Sequence, residues 1–294
     1  MKHAVLLLAH GAPERVENVD AYLDRVRAGR PGAGPTPPHV IQEVRQRYQE
    51  IGGSSPLLAW TRKQAEALHA ELRIPVYFGM RNWHPLILET MQQIAADSID
   101  RLVAICLAPQ YSKSSVGLYF RRTQEAKTAV GSTVEIVWTK SFHAHPLLIE
   151  AFAEVLAPLA HGRKVLFTAH SLPEKALEGG DPYDTEAKGT ARALAERLGL
   201  TDWDFAYQSQ GMTQDKWLGP TVEETLDRYQ AAGITDVVLD PIGFVCDHVE
   251  ILYDVDILFR KYAAARGIRL VRPETLNDSP KFIAALADVA RKSL

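Results

Sequence analysis

Apolar and polar positions along the chain alternate between two periods. In the first half, AVLLLAH, VYFGM, RLVAICLAP and VEIVWTK are short, almost wholly apolar runs that read as strands. Between them HVIQEVRQRYQEI, TRKQAEALHAEL, HPLILETMQQIAAD and VGLYFRRTQEAKTAV repeat their apolar residues at helical spacing. The second half follows the same scheme, with strands KVLFTAH, WDFAYQSQ, ITDVVLDPIGFV and IRLVRPE. Its helices are EAKGTARALAERLG, TVEETLDRYQAAG, DHVEILYDVDILFRKYAAARG and SPKFIAALADVARKSL. Apolar strands joined by amphipathic crossovers predict parallel sheets covered on both faces, so the chain is expected to be α/β, with two four-stranded halves.

The two halves open alike. LLLAHGAP at residues 6–13 and LFTAHSLP at residues 166–173 share an apolar run, an Ala-His pair and a Pro three places on. His10 and His170 therefore end corresponding strands, and ligands of open parallel sheets bind beyond such carboxyl ends. Two similar halves set face to face would direct both imidazoles into one cleft. A histidine in that position can instead cap a helix or bond a carbonyl, and the repetition is what favours a site.

Downstream, Asp247, Glu250 and Asp254 in DHVEILYD fall at i, i+3 and i+7, a spacing that puts three carboxylates on one α-helical face. Asp247 suits an N-cap, but Asp254 lies two turns in and gains nothing from the helix dipole. Such a line of acids offers oxygen ligands to a hydrated divalent cation and exchanges protons, while a neutral imidazole adds nitrogen donation. Arg27 and Arg30 stand in the Gly/Pro-rich segment 27–40, read as a surface loop bordering the site, and Arg47 and Ser55 flank YQEIGGSSP. Tyr119 precedes Arg121 and Arg122. Guanidinium groups fork onto carboxylates, so a planar acid between aromatic walls is a fitting guest.

Composition narrows the classes. A formal charge of −3 and no Lys/Arg run argue against nucleic acid. No stretch of 18 apolar residues suggests a transmembrane segment, and the N-terminal apolar run is short for a secretory signal, so a cytoplasmic protein is expected. Cys106 and Cys246, the two cysteines, lie in apolar runs without C-x-x-C spacing, as buried thiols would, and indicate no iron–sulfur cluster.

RYQEIGGSSPL, LAPQYS, TAHSLPEKALEGGDPY, QSQGMTQDKWLGP and PIGFVCDHVEILYDVD are long, ordered stretches in which the sequence resembles the ferrochelatase family along nearly its whole length. The resemblance implies two Rossmann-like, chelatase-type domains, at 1–155 with the porphyrin-binding loop and at 156–294 with the metal-insertion residues. The last helix is a candidate to pack back on the first half. It implies insertion of Fe(II), a substrate and not a cofactor, into a porphyrin with loss of two protons, and no tightly bound cofactor. His170 would be the base or metal ligand facing the pyrrole nitrogens, Glu250 its partner, and Asp254 the continuation of the acidic path.

Within the family the compact chain and VRAGRP are similar to the soluble monomeric coproporphyrin III enzymes, in which residues matching Arg27, Arg47, Ser55 and Tyr119 contact propionates. That implies a monomer, with a downstream heme-pathway enzyme as the partner that takes product. Three positions depart from the subgroup. His10 replaces its axial-ligand tyrosine, which makes His10 a candidate metal ligand as well as a substrate contact; Asn82 replaces a histidine; Leu258 replaces a glutamate of the acidic path. Alternatives are a protoporphyrin IX ferrochelatase, a cobalt or nickel tetrapyrrole chelatase, and a non-catalytic tetrapyrrole carrier.

Overall fold

A computed structural model describes residues 1–28, 34–211 and 215–294; Arg30 and part of QSQGMTQDKWLGP lie outside them. In chain order the first half comprises strand β1 (His3–Ala9), helices α1 (Val19–Ala28), α2 (Pro38–Glu50) and α3 (Leu57–Leu72), β2 (Val76–Met80), α4 (Ile87–Ala96), β3 (Arg101–Cys106), α5 (Val116–Ala129) and β4 (Glu135–Thr139). After α6 (Pro146–Ala160) come β5 (Lys164–His170), α7 (Tyr183–Leu198), β6 (Trp203–Gln208), α8 (Val222–Ala231) and β7 (Asp236–Asp240). A π-helix, Glu250–Phe259, runs into α9 (Arg260–Ala264), followed by β8 (Arg269–Val271) and α10 (Pro280–Arg291).

Every strand pairing within the two sheets is parallel, in the orders β2-β1-β3-β4 and β6-β5-β7-β8. The two orders are the same topology repeated. In each sheet the first strand lies between the next two, so the winding direction reverses at β1 and at β5, and a reversal point is where a crevice opens. His10 immediately follows β1, and His170 ends β5.

Alternation along the strands builds the layers. Val5 and Leu7 of β1 share one core with Val165 and Phe167 of β5, filled by residues of α3, α6, α7 and α10. On the opposite faces Ala4, Leu6 and Leu8 pack with α4 and α5, while Leu166 packs with α8 and the apolar side of the π-helix, Ile251, Val255 and Phe259. The boundary expected at 155/156 falls inside α6, whose buried residues belong to the shared core, and α10 packs there through Phe282 and Leu286.

Two sequence expectations are corrected. The run 234–245 forms strand only over Asp236–Asp240, because Pro241 has no N–H for the ladder and the chain turns. Asp247 neither joins nor caps the helix that follows: its carboxylate accepts from Arg272 Nη2 at 3.1 Å and from Asn277 Nδ2 at 3.2 Å. The acidic face therefore has two members instead of three. Helices α1 and α6 carry no prediction from periodicity, α6 because it is apolar on nearly every side.

Candidate active site

The carboxyl ends of β1 and β5 and the start of the π-helix meet in one cleft. His170 Nδ1–H donates to the Ser171 carbonyl, and since a carbonyl only accepts, the proton must sit on Nδ1. Nε2 is left facing Glu250, whose Oε1 lies 3.6 Å away. Two further hydrogen bonds and one close approach fix this strand end. Tyr183 OH donates to the His170 carbonyl at 2.8 Å, and Gly243 N donates to the Thr168 carbonyl at 3.1 Å. A Cβ on Gly243 would come 2.8 Å from Ala169 Cα, so the turn after β7 can press on β5 only as glycine.

Glu250 has a second imidazole. His248 Nδ1–H donates to the Cys246 carbonyl at 3.0 Å, and its Nε2 lies 3.6 Å from Glu250 Oε2. The Phe244 ring packs against both histidines, with centroids 6.4 Å from His170 and 4.7 Å from His248. Burial would raise the Glu250 carboxyl, but the charges and hydrogen bonds of the two histidines hold it well below the usual carboxylate range. Burial would likewise lower the His170 imidazole, and Glu250 overrides it and raises the value.

Asp254, one turn further along the same face, is 5% exposed. Ser209 Oγ donates to its Oδ2, and Arg47 Nη1 from α2 stands 3.7 Å from its Oδ1. Burial and the Glu250 charge push its carboxyl up to about 6 against the opposing pull of Ser209 and Arg47. A π-turn closes i→i+5 and so keeps residues 250 and 254 together, which an α-helical reading also does, but the segment begins too late to include Asp247.

On the facing wall, continuation of the β1–β2 pairing brings Arg81 and Asn82 alongside His10: their backbone N–H groups donate to the Ala9 and His10 carbonyls, each at 3.0 Å. Arg81 Nη2 lies 3.2 Å from His10 Nδ1, and the Asn82 side-chain amide lies 3.1 Å from Nε2. The Arg81 guanidinium also sits 4.9 Å from the ring centre of buried Tyr119. His10 feels the charges of Glu250, His248 and His170, so the two strand ends lie within electrostatic reach of each other. Tyr22 of α1 completes this wall, its ring 6.2 Å from His10 and 6.3 Å from Trp83.

The remaining candidates make local bonds. Arg27 Nε donates to the Gly34 carbonyl at 2.9 Å, and Ser55 Oγ accepts from Leu57 N–H at 3.4 Å. Leu258 is exposed on the π-helix, and Cys246 packs with Ala12 and Leu57 as a buried thiol. Arg81, His248, Phe244, Tyr22 and Ser209 escaped the sequence reading. His248 sits two residues from Glu250, a spacing that separates side chains on a helix; it reaches the carboxylate because it precedes the helical turn.

Among the described residues no group of three or more His, Cys, Asp or Glu is arranged to hold a metal by itself. The cleft instead combines a base with its carboxylate, a buried acid behind them and a wall of imidazole, guanidinium and aromatic rings.

The fold is that of a chelatase. “SirB from Bacillus subtilis with Fe3+” superposes at a TM-score of 0.66 and 13% identity, with 100% of this chain and 96% of the other covered. The ferrochelatase family model matches residues 2–294, and the chain belongs to that family, enzymes that insert a metal into a porphyrin. A ferrochelatase of Acidobacterium capsulatum is 46% identical over 99% of this chain and 94% of its own. A coproporphyrin III ferrochelatase of Halalkalibacterium halodurans is 35% identical over 100% and 97%.

Proposed function

We propose that the cleft inserts Fe(II) into coproporphyrin III, with His170 as the base and metal-facing ligand and Glu250 as its partner. The observation that carries the assignment is the orientation of His170: a proton fixed on Nδ1 and an open Nε2 turned to a carboxylate at 3.6 Å. Insertion exchanges one Fe(II) for the two protons of the pyrrole N–H groups. Nε2 accepts the two protons in turn, passing on the first before it takes the second, Glu250 remains anionic to stabilise the imidazolium each time, and Asp254 hands the protons on to solvent while Arg47 stays a fixed cation beside it. Asp254 and Glu250 offer the incoming cation oxygen ligands in succession.

Arg27, Arg47, Ser55 and Tyr119 are the proposed substrate contacts. Arg81 joins them on this reading, since it is a fixed cation on the wall facing His170. Preference for coproporphyrin III, with four carboxylates to pair, is supported by relatives of that activity at about 35% identity. The test is anaerobic metal insertion followed by absorbance, with Fe(II) offered alongside coproporphyrin III or protoporphyrin IX to the native protein and to His170→Ala. Faster use of coproporphyrin III, abolished by the substitution, is expected. Better use of protoporphyrin IX would overturn the substrate assignment, and binding of either without insertion would make the protein a carrier.

A further inference from the structure

We propose that Arg81 fixes His10 as the Nε2–H tautomer, so that this imidazole lines the cleft as a hydrogen-bonded wall with no lone pair to give a metal, and His170 alone of the paired histidines can ligate. Naming porphyrin iron as the metal rests on the function proposed above; the tautomer does not.

A guanidinium is a donor only and stays protonated in proteins. Two N–H groups cannot face each other at 3.2 Å, so His10 Nδ1 must present its lone pair to Arg81 Nη2. The neutral ring then carries its single proton on Nε2. The group waiting there is the Asn82 amide, 5% exposed, with Nδ2 3.1 Å from Nε2; because Arg81 already donates to Nδ1 and the ring keeps its proton on Nε2, the amide must be turned by a half-turn so that its oxygen accepts. Both ring nitrogens are thereby engaged.

Arg81 is itself held in place. Its backbone is bonded to β1, and its guanidinium lies over Tyr119. Burial, then the Arg81 charge, lowers the His10 imidazole to about 3, which agrees with a ring that remains neutral beside a cation. The corresponding strand end in the second half is set the opposite way: His170 gives its Nδ1 proton to a carbonyl and keeps Nε2 open. The repeated Ala-His pair thus yields two imidazoles in complementary tautomers, one able to accept and the other not.

Two measurements test this. In the protein without porphyrin, labelled with 15N at histidine, two-bond correlations near neutral pH report which ring nitrogen is protonated, and the His10 signals are those lost in His10→Ala. The Nε2–H pattern is expected for His10, and for His170 a protonated Nδ1, whether neutral or imidazolium, with His10 moving to a tautomer mixture in Arg81→Met. An Nδ1–H or imidazolium pattern for native His10 overturns the proposal even if Arg81→Met fails to fold. Second, iron(III) coproporphyrin III is added as a probe, and resonance Raman and electron paramagnetic resonance read its axial ligation. The spectra are expected to be the same for native protein and His10→Ala; loss of an iron–imidazole signature in His10→Ala overturns the proposal. Failure of the probe to bind any variant would count against the proposed function, while the tautomer would still be decided by the first measurement.

Discussion

His170 Nε2 and Glu250 Oε1 lie 3.6 Å apart, across the gap between the end of β5 and the first turn of the π-helix. The pair joins a strand end to a helix start in one half of the molecule, so its spacing depends on the packing of the β7 turn and not on closure between halves. Its charges are mutually dependent: each partner favours the ionised form of the other.

Glu250→Gln removes the charge that raises His170 and keeps the shape. The His170 imidazole is expected to titrate lower in this variant than in the native protein, and metal insertion to fall roughly 10²–10⁴-fold, the usual contribution of an acid–base group. The raised native value also contributes stability that is complete below the ordinary histidine pKa and is lost as pH rises through the folded value. Glu250→Gln should therefore flatten the pH dependence of stability on that side. An NMR titration that leaves His170 unmoved would show that the two groups do not interact as the geometry implies.

Much of this arrangement was legible because strands buried on both faces stand out as short apolar runs, while helices buried on one side keep a 3.6-residue pattern. The strand ends carrying His10 and His170 emerged from a plain repeat. What stayed hidden depended on packing. Helix α6 buries one side in the core between the sheets, but its exposed side carries Pro146, Leu147, Ala157 and Pro158, so it shows no polar stripe to mark it. Asp247 reads as a member of the acid row until Arg272 and Asn277 draw it away. Arg81 and Asn82 reach His10 only through the parallel register of β1 with β2, a relationship between residues about 70 apart that no local spacing encodes.

Gly243→Ala is expected to impair catalysis more than binding. The added methyl would stand 2.8 Å from Ala169 Cα and 3.4 Å from His170 N, both backbone atoms, so the β5 end must move. Overpacking of this kind costs about 1–3 kcal/mol, and displacement of a reacting group by about 1 Å can cost on the order of 100-fold in rate. Porphyrin affinity measured by fluorescence quenching should change only a few-fold while kcat falls by ten-fold or more. Equal losses in both would assign Gly243 to the binding wall instead.

Asp254→Asn should stabilise the fold at alkaline pH while harming function. The Asp254 carboxyl is pushed from 3.8 up to about 6, first by burial and then by Glu250. Because the folded value lies above the unfolded one, the fold favours the protonated acid. The penalty for ionisation is absent below about pH 3.8, grows as pH rises and is complete above about 6. Two units correspond to about 3 kcal/mol. The amide keeps an oxygen for the Ser209 hydroxyl and carries no charge, so denaturant unfolding should show a gain of up to ~3 kcal/mol at pH 8 and almost none at pH 4. Metal insertion by the native enzyme should decline as pH falls through 6, where Asp254 ceases to be a carboxylate, and the variant should be slow on both sides of that value. Destabilisation of Asp254→Asn by the same amount at pH 4 and pH 8 would mean that Arg47 and Ser209 fully compensate the buried charge, and the residue would then be a structural anchor between α2 and the π-helix.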